Sequence, residues 1–77
     1  MELIDTPNPN ARKIEMDTSV FDNPTGKVKQ DNITKKLSEI DGVSSVFFGP
    51  GFVTITKVEK IKWDTINQNI IDIFDKL

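Results

Sequence analysis

Residues 42–57 read GVSSVFFGPGFVTITK, two runs rich in Val, Phe, Ile and Thr on either side of Gly49, Pro50 and Gly51. Branched and aromatic side chains suit the pleated, half-buried surface of a strand, and Gly and Pro between two such runs signal a hairpin. Its register decides which side chains meet. If Phe48 pairs with Phe52 across a three-residue loop, Phe47, Val53 and Ile55 share one face with Val43, and Val46, Phe48, Phe52 and Thr54 share the other. A loop of two or four residues instead puts Phe47 with Phe52 and Val46 with Val53, because a slip of one residue turns every side chain over. In either register both faces carry large apolar groups, and Phe48 and Phe52 are the candidates for the solvent-facing side.

Upstream, the apolar period changes from two to three or four. Ile33, Leu37 and Ile40 fall at i, i+4 and i+7, with Lys35, Lys36 and Glu39 on the other faces. This predicts a short amphipathic helix from Asn32, capped by Asp31 or Asn32 and ended by Gly42 in a left-handed conformation. Residues 17–31, DTSVFDNPTGKVKQD, are rich in Asp, Asn, Thr, Pro and Gly and read as an irregular connection tethered to the core by Val20 and Phe21. Further upstream, ELID and ARKIEM flank the stretch DTPNPN at residues 5–10, and the alternation of Ile14 and Met16 with Lys13 and Glu15 marks a half-buried strand. Downstream, Trp63, Ile66, Ile70, Ile73, Phe74 and Leu77 are spaced by three or four and predict a longer, more apolar helix running to the end of the chain. The order strand, strand, helix, strand, strand, helix implies an α+β sandwich: an antiparallel sheet of about four strands with both helices on one face.

At 77 residues, with no internal linker, the expectation is a single domain over residues 1–77. The absence of any cysteine or histidine excludes thiol chemistry, serine-histidine triads, zinc sites and a thiolate-held iron-sulfur cluster. Ten basic against twelve acidic residues leave a net charge of −2, which offers no electrostatic footprint for nucleic acid. No apolar run approaches the roughly 18 residues of a membrane span, and MELIDTPN lacks the basic-then-apolar pattern of a secretory signal, so a cytoplasmic protein, or an organellar one after processing, is expected.

DTPNPN at residues 5–10, the pair Lys13 and Ile14, IDGVSSVFFGPGFVTITK at residues 40–57 and the later Trp63 form one ordered pattern. It resembles the N-terminal domain of the Nfu (NifU-like) iron-sulfur cluster assembly proteins. The resemblance implies the same two-layer α+β architecture and, at the level of the family, a connection to iron. Members of that family usually continue through a linker into a second domain whose Cys-x-x-Cys motif assembles or carries the cluster, and no such motif is present in this sequence. Resemblance and composition together imply a non-catalytic interaction module: it binds no cluster itself, meets an iron-sulfur cluster only through a carrier or recipient protein, and is a monomer. The alternative is a small self-associating structural domain with no iron-sulfur role.

The candidate partner-binding residues are Thr6, Pro7, Asn8, Pro9, Asn10, Lys13, Phe48, Gly49, Pro50 and Phe52. For residues 6–10 two readings coexist. Proline fixes φ and withdraws an amide donor while Asn tolerates turn dihedrals, which makes a rigid connection, and a stiff loop loses little entropy on meeting a partner. Trp63 reads as a core anchor. Asn32-Ile33-Thr34 fits a helix start better than a glycosylation acceptor, Gly26-Lys27 lacks the preceding glycine of a phosphate loop, and the scattered aspartates lack the spacing of a calcium loop or a catalytic carboxylate pair.

Overall fold

Ile14, Val53 and Ile55 fall at alternate positions of their strands, so burying that set requires a layer on one side of the sheet only. In the computed structural model, which describes residues 2–76, four strands form one antiparallel sheet: β1 (Ile4–Asp5), β2 (Ala11–Glu15), β3 (Val43–Gly49) and β4 (Phe52–Lys57), in the order β1-β2-β4-β3. Two helices, α1 (Pro24–Ser38) and α2 (Trp63–Asp75), cover the face that carries Ile14, Val53 and Ile55. Ile33 and Leu37 of α1 join Trp63, Ile66, Ile70 and Phe74 of α2 in a single apolar cluster with those strand residues. The α+β sandwich read from the sequence is the observed architecture.

Helix α1 corrects the expected start at Asn32, since it begins at Pro24. Neither Asp31 nor Asn32 is its cap. Asn23 is extended, and its Oδ1 accepts a hydrogen bond from the Gly26 amide at 2.6 Å, while Pro24 occupies a first-turn position where a missing N–H costs nothing. The first turns lack an apolar stripe because they pack through backbone: a Cβ on Gly26 would stand 2.6 Å from Phe21 Cα. The segment that Gly26 meets is a single 3₁₀ turn, Thr18–Phe21, capped by Asp17, so residues 17–31 are ordered structure and not an irregular connection. Phe21 is buried as expected, but Val20 is 50% exposed. The helix ends at Ser38, leaving Ile40 beyond it, and Gly42 (φ 108°) turns the chain into β3 instead of closing the helix.

The hairpin takes the two-residue register. Gly49 pairs with Phe52, Phe48 with Val53, Phe47 with Thr54 and Val46 with Ile55. Pro50 followed by Gly51 at φ 79° makes the tight turn, which the preceding segment clasps. Met16 N–H donates to Gly51 O at 3.2 Å, and Gly51 N–H donates to Thr18 Oγ1 at 2.9 Å. This register places Val46 and Phe48 on the helix-covered face, where Phe48 packs edge-on against Phe21 with ring centroids 5.4 Å apart. The expectation that Phe48 faces solvent with Phe52 is therefore corrected. Phe52 shares its face with Phe47.

Candidate docking surface

Residues 6–10 use their polar groups on their own fold. Thr6 Oγ1 donates to Ala11 O at 2.8 Å and accepts from Asn8 N–H at 3.2 Å. Asn8 Oδ1 accepts from Asn10 N–H at 3.0 Å, a local turn of the kind Asn favours, and Asn8 O accepts from Ala11 N–H. Asn10 binds Lys57 twice, accepting from its amide through the backbone oxygen at 2.8 Å and from its Nζ through Oδ1 at 2.9 Å. Pro9 O accepts from Trp63 Nε1 at 2.9 Å, which joins the loop to the first residue of α2. Trp63 is buried, as expected of a core anchor, and the Arg12 guanidinium lies 5.1 Å from its ring centroid. Arg12 Nε is 2.9 Å from Asp5 Oδ1, a charge contact without the alignment of a hydrogen bond. Pro9, Asn10, Arg12, Lys57 and Trp63 border an open depression of about 360 Å³, also flanked by Glu59, Lys62 and Asp64. Its charges are mixed in sign.

The uncovered face of the sheet has a different character. Strand register aligns Ile4 of β1, Lys13 of β2, Thr54 of β4 and Phe47 of β3 in one cross-strand row, with Glu15, Phe52 and Gly49 in the next. Phe47 is 62% exposed and tilts against Phe52 at a centroid distance of 6.2 Å. Among the described residues no helix lies over this row. Phe47 is not among the residues the sequence singles out, because a three-residue loop places it on the face of Val53 and Ile55. The two-residue register weighed beside that loop was the signal that finds it.

Strand β3 is also one edge of the sheet. Its sequence, VSSVFFG, has no charge and no proline, two devices that commonly protect edges, and its one irregularity lies between Val43 and Ser45. With Gly49 and Phe52 closing the two-residue loop, ladder alternation directs the backbone N–H and C=O groups of Val46 and Phe48 outward to the open edge. Beside the Phe48 end runs a groove of about 220 Å³ lined by Thr18, Phe21, Asp22, Gln30, Phe48, Gly49 and Pro50.

The sequence candidates are thus distributed, not gathered. Thr6, Pro7, Asn8, Pro9 and Asn10 sit at the Ala11 end of β2, Gly49, Pro50 and Phe52 at the Glu15 end, and Lys13 on the open face between. The four residue steps from Ala11 to Glu15 hold the two ends roughly 14 Å apart at about 3.4 Å per step. The ligand set for a cluster is also lacking: the sequence has no cysteine, and among the described residues no group of three or more His, Cys, Asp or Glu side chains could hold a metal ion. Of the titratable groups, Asp17 has its carboxyl held below the ordinary range by hydrogen bonds from the Ser19 hydroxyl and amide. Capping the 3₁₀ turn accounts for that shift.

Comparison with known proteins gives these features a context. The family model described as "Scaffold protein Nfu/NifU N terminal" matches residues 1–77. A human protein named "NFU1 iron-sulfur cluster scaffold homolog, mitochondrial" is 38% identical over 73 aligned positions, covering 86% of this chain and 29% of that protein. The homologue of the same name from Drosophila erecta is 36% identical, over 86% of this chain and 26% of its own. A shorter match, 45% identical over 38 positions, covers 49% of this chain and 13% of "NifU-like protein 4, mitochondrial" from Arabidopsis thaliana. The chain therefore spans less than a third of the length of these relatives. A solution NMR structure of a Staphylococcus epidermidis protein superposes with a TM-score of 0.57 at 26% identity, covering 96% of this chain and 92% of that one. With its strand and helix order matching the resemblance and its whole length matched by the family model, the chain belongs to the Nfu/NifU scaffold N-terminal family.

Proposed function

We propose that this chain is a non-catalytic docking module of iron-sulfur cluster assembly or delivery, one that contacts a cluster carrier or recipient protein while the cluster stays on the partner's ligands. The observation that carries this reading is Phe47, 62% exposed and paired with Phe52 on a sheet face that no helix covers. A small domain depends on burying its apolar side chains, so a phenyl ring left on its open face is better accounted for by a partner than by folding. The scaffold names of the relatives supply the pathway. The lack of cysteine in this chain supports placing the ligands on the other protein.

On this reading Thr54 and Phe52 adjoin the Phe47 anchor, Lys13 lies one strand further along its row, and the open edge of β3 gives a partner strand backbone groups to pair with. Residues 6–10 shape the far end of the sheet and act on docking only through stability. The test is capture of a purified Cys-x-x-Cys scaffold domain, with and without its cluster, by immobilised wild-type chain and by a Phe47→Ser variant. Wild-type capture lost in the variant supports the proposal, and equal capture by both counts against it.

The uncharged seven-residue edge strand favours one competing reading, a self-associating domain in which β3 pairs with β3 of a second copy. Sedimentation over a wide concentration range separates the two. A monomer throughout removes self-association as the function.

A further inference from the structure

Between α1 and α2 lies a groove of about 160 Å³, lined by Lys29, Asn32, Ile33, Lys36, Ile73 and Lys76. Lys29, Ile33 and Lys36 follow one another along a single face of α1, four and three residues apart, and Ile73 and Lys76 meet them from the end of α2. The floor is apolar: Ile33 is 4% exposed, and Ile73 is half-buried against the core. The rim carries three ammonium groups and no carboxylate. Asp72, on the last turns of α2, lies outside the lining and accepts a hydrogen bond from Gln68 Nε2 at 2.8 Å. Among the described residues the ion pair is Arg12 with Asp5, so none of the three lysines is engaged by a carboxylate of those residues.

Helix dipoles account for part of this pattern, because Lys36 and Lys76 stand at helix C-termini, where cations are favoured. They do not account for Lys29 in the middle of α1, nor for an apolar floor enclosed by positive charge in a chain whose net charge is −2. We infer that the groove binds an acidic peptide segment, seating one apolar side chain on Ile33 and Ile73 while carboxylates on either side pair with Lys29, Lys36 and Lys76. Charge complementarity selects this occupant. A second copy presenting the same groove brings like charges together, and a purely apolar partner desolvates three unpaired ammonium groups. The volume matches one side chain about the size of a benzene ring, as in apolar cavities of roughly 150 Å³.

The experiment uses the whole chain and a fluorescein-labelled synthetic peptide in which one leucine is flanked on both sides by glutamates, read by fluorescence anisotropy. A Lys29→Gln/Lys36→Gln double variant, altered only at exposed positions, is expected to bind about tenfold more weakly, and binding by the wild type to fall with added salt. Replacing the peptide leucine with serine is expected to weaken binding by a similar factor, and Phe47→Ser is expected to leave it unchanged, which separates this site from the open sheet face. The inference is overturned if the peptide does not bind at low salt, if the double variant binds as well as wild type, or if the serine peptide binds equally. Phosphatidylglycerol vesicles provide the last arm: binding to them that depends on the same lysines, with no peptide binding, assigns the groove to a membrane surface and overturns the peptide assignment.

Discussion

The two ends of the sheet handle their polar backbone and side-chain groups differently. At the Ala11 end, Thr6, Asn8, Pro9 and Asn10 are all engaged by neighbours within the fold, including the indole of Trp63 and the ammonium of Lys57. At the Gly49 end, the turn is clasped by Met16 and Thr18, but the adjoining strand β3 leaves an unpaired edge and an exposed phenyl ring. The Pro/Asn loop spends its side-chain oxygens and the Pro9 carbonyl within the fold, whereas the uncharged edge strand leaves the backbone N–H and C=O groups of Val46 and Phe48 open. Substitutions that disturb the first end should read out as stability, and those at the second as binding.

The largest effect should come where the two layers meet. Trp63→Ala removes a buried aromatic side chain and the donor to Pro9 O, and a loss of about 3–5 kcal/mol is expected in urea unfolding. A Trp63 substitution that left stability intact would break the view that residues 6–10 are held from beneath by α2. Next in size is Asn8→Ala with Asn10→Ala, which removes an Asx-turn acceptor and the acceptor of Lys57 Nζ. About 1–2 kcal/mol should be lost, with affinity for a partner unchanged once the folded fraction is accounted for. Lost binding with unchanged melting would instead move the docking surface to this loop.

Asn23→Ala deletes the cap of α1 and should cost about 1 kcal/mol, whereas Asn32→Ala, at the start expected from the periodicity, should lie within about 0.5 kcal/mol of wild type. The smallest effect belongs to Asp17. Its pKa is depressed in the folded state, so its contribution is present above the unfolded-state pKa and is lost as pH falls through the folded value. Comparing wild type with Asp17→Asn by thermal melting should show a small difference at neutral pH that closes in acid.

How much was legible in the sequence follows from where periodicity carries information. The hairpin and α2 were readable because their apolar residues repeat every two residues or every three to four, and burial rewards that pattern directly. The first half of α1 was not: its packing is made by Gly26 against the backbone of the 3₁₀ turn, and Val28 is 59% exposed, so no stripe existed to be counted. The local Asn23-Pro24 pair was the one available sign of a helix start. The identity of the open face turned on a single residue of register. Pro50 and Gly51 close the turn alone, and that exchange sent Phe48 to the core and Phe47 to solvent. Of the two residues the sequence places on the open face, Phe52 lies there and Phe48 does not, while Lys13, a candidate beside residues 6–10, joins Phe47 in one row only through strand pairing.

The central claim, that the open face around Phe47 docks a cluster protein, is tested most directly by measuring affinity and unfolding free energy together for wild type and Phe47→Ser. The purified partner is a Cys-x-x-Cys scaffold domain. The account predicts binding at least about tenfold weaker in the variant while stability stays within about 0.5 kcal/mol, because an exposed side chain contributes little to folding. Undiminished affinity, or an affinity loss that merely follows a loss of folded protein, would contradict it.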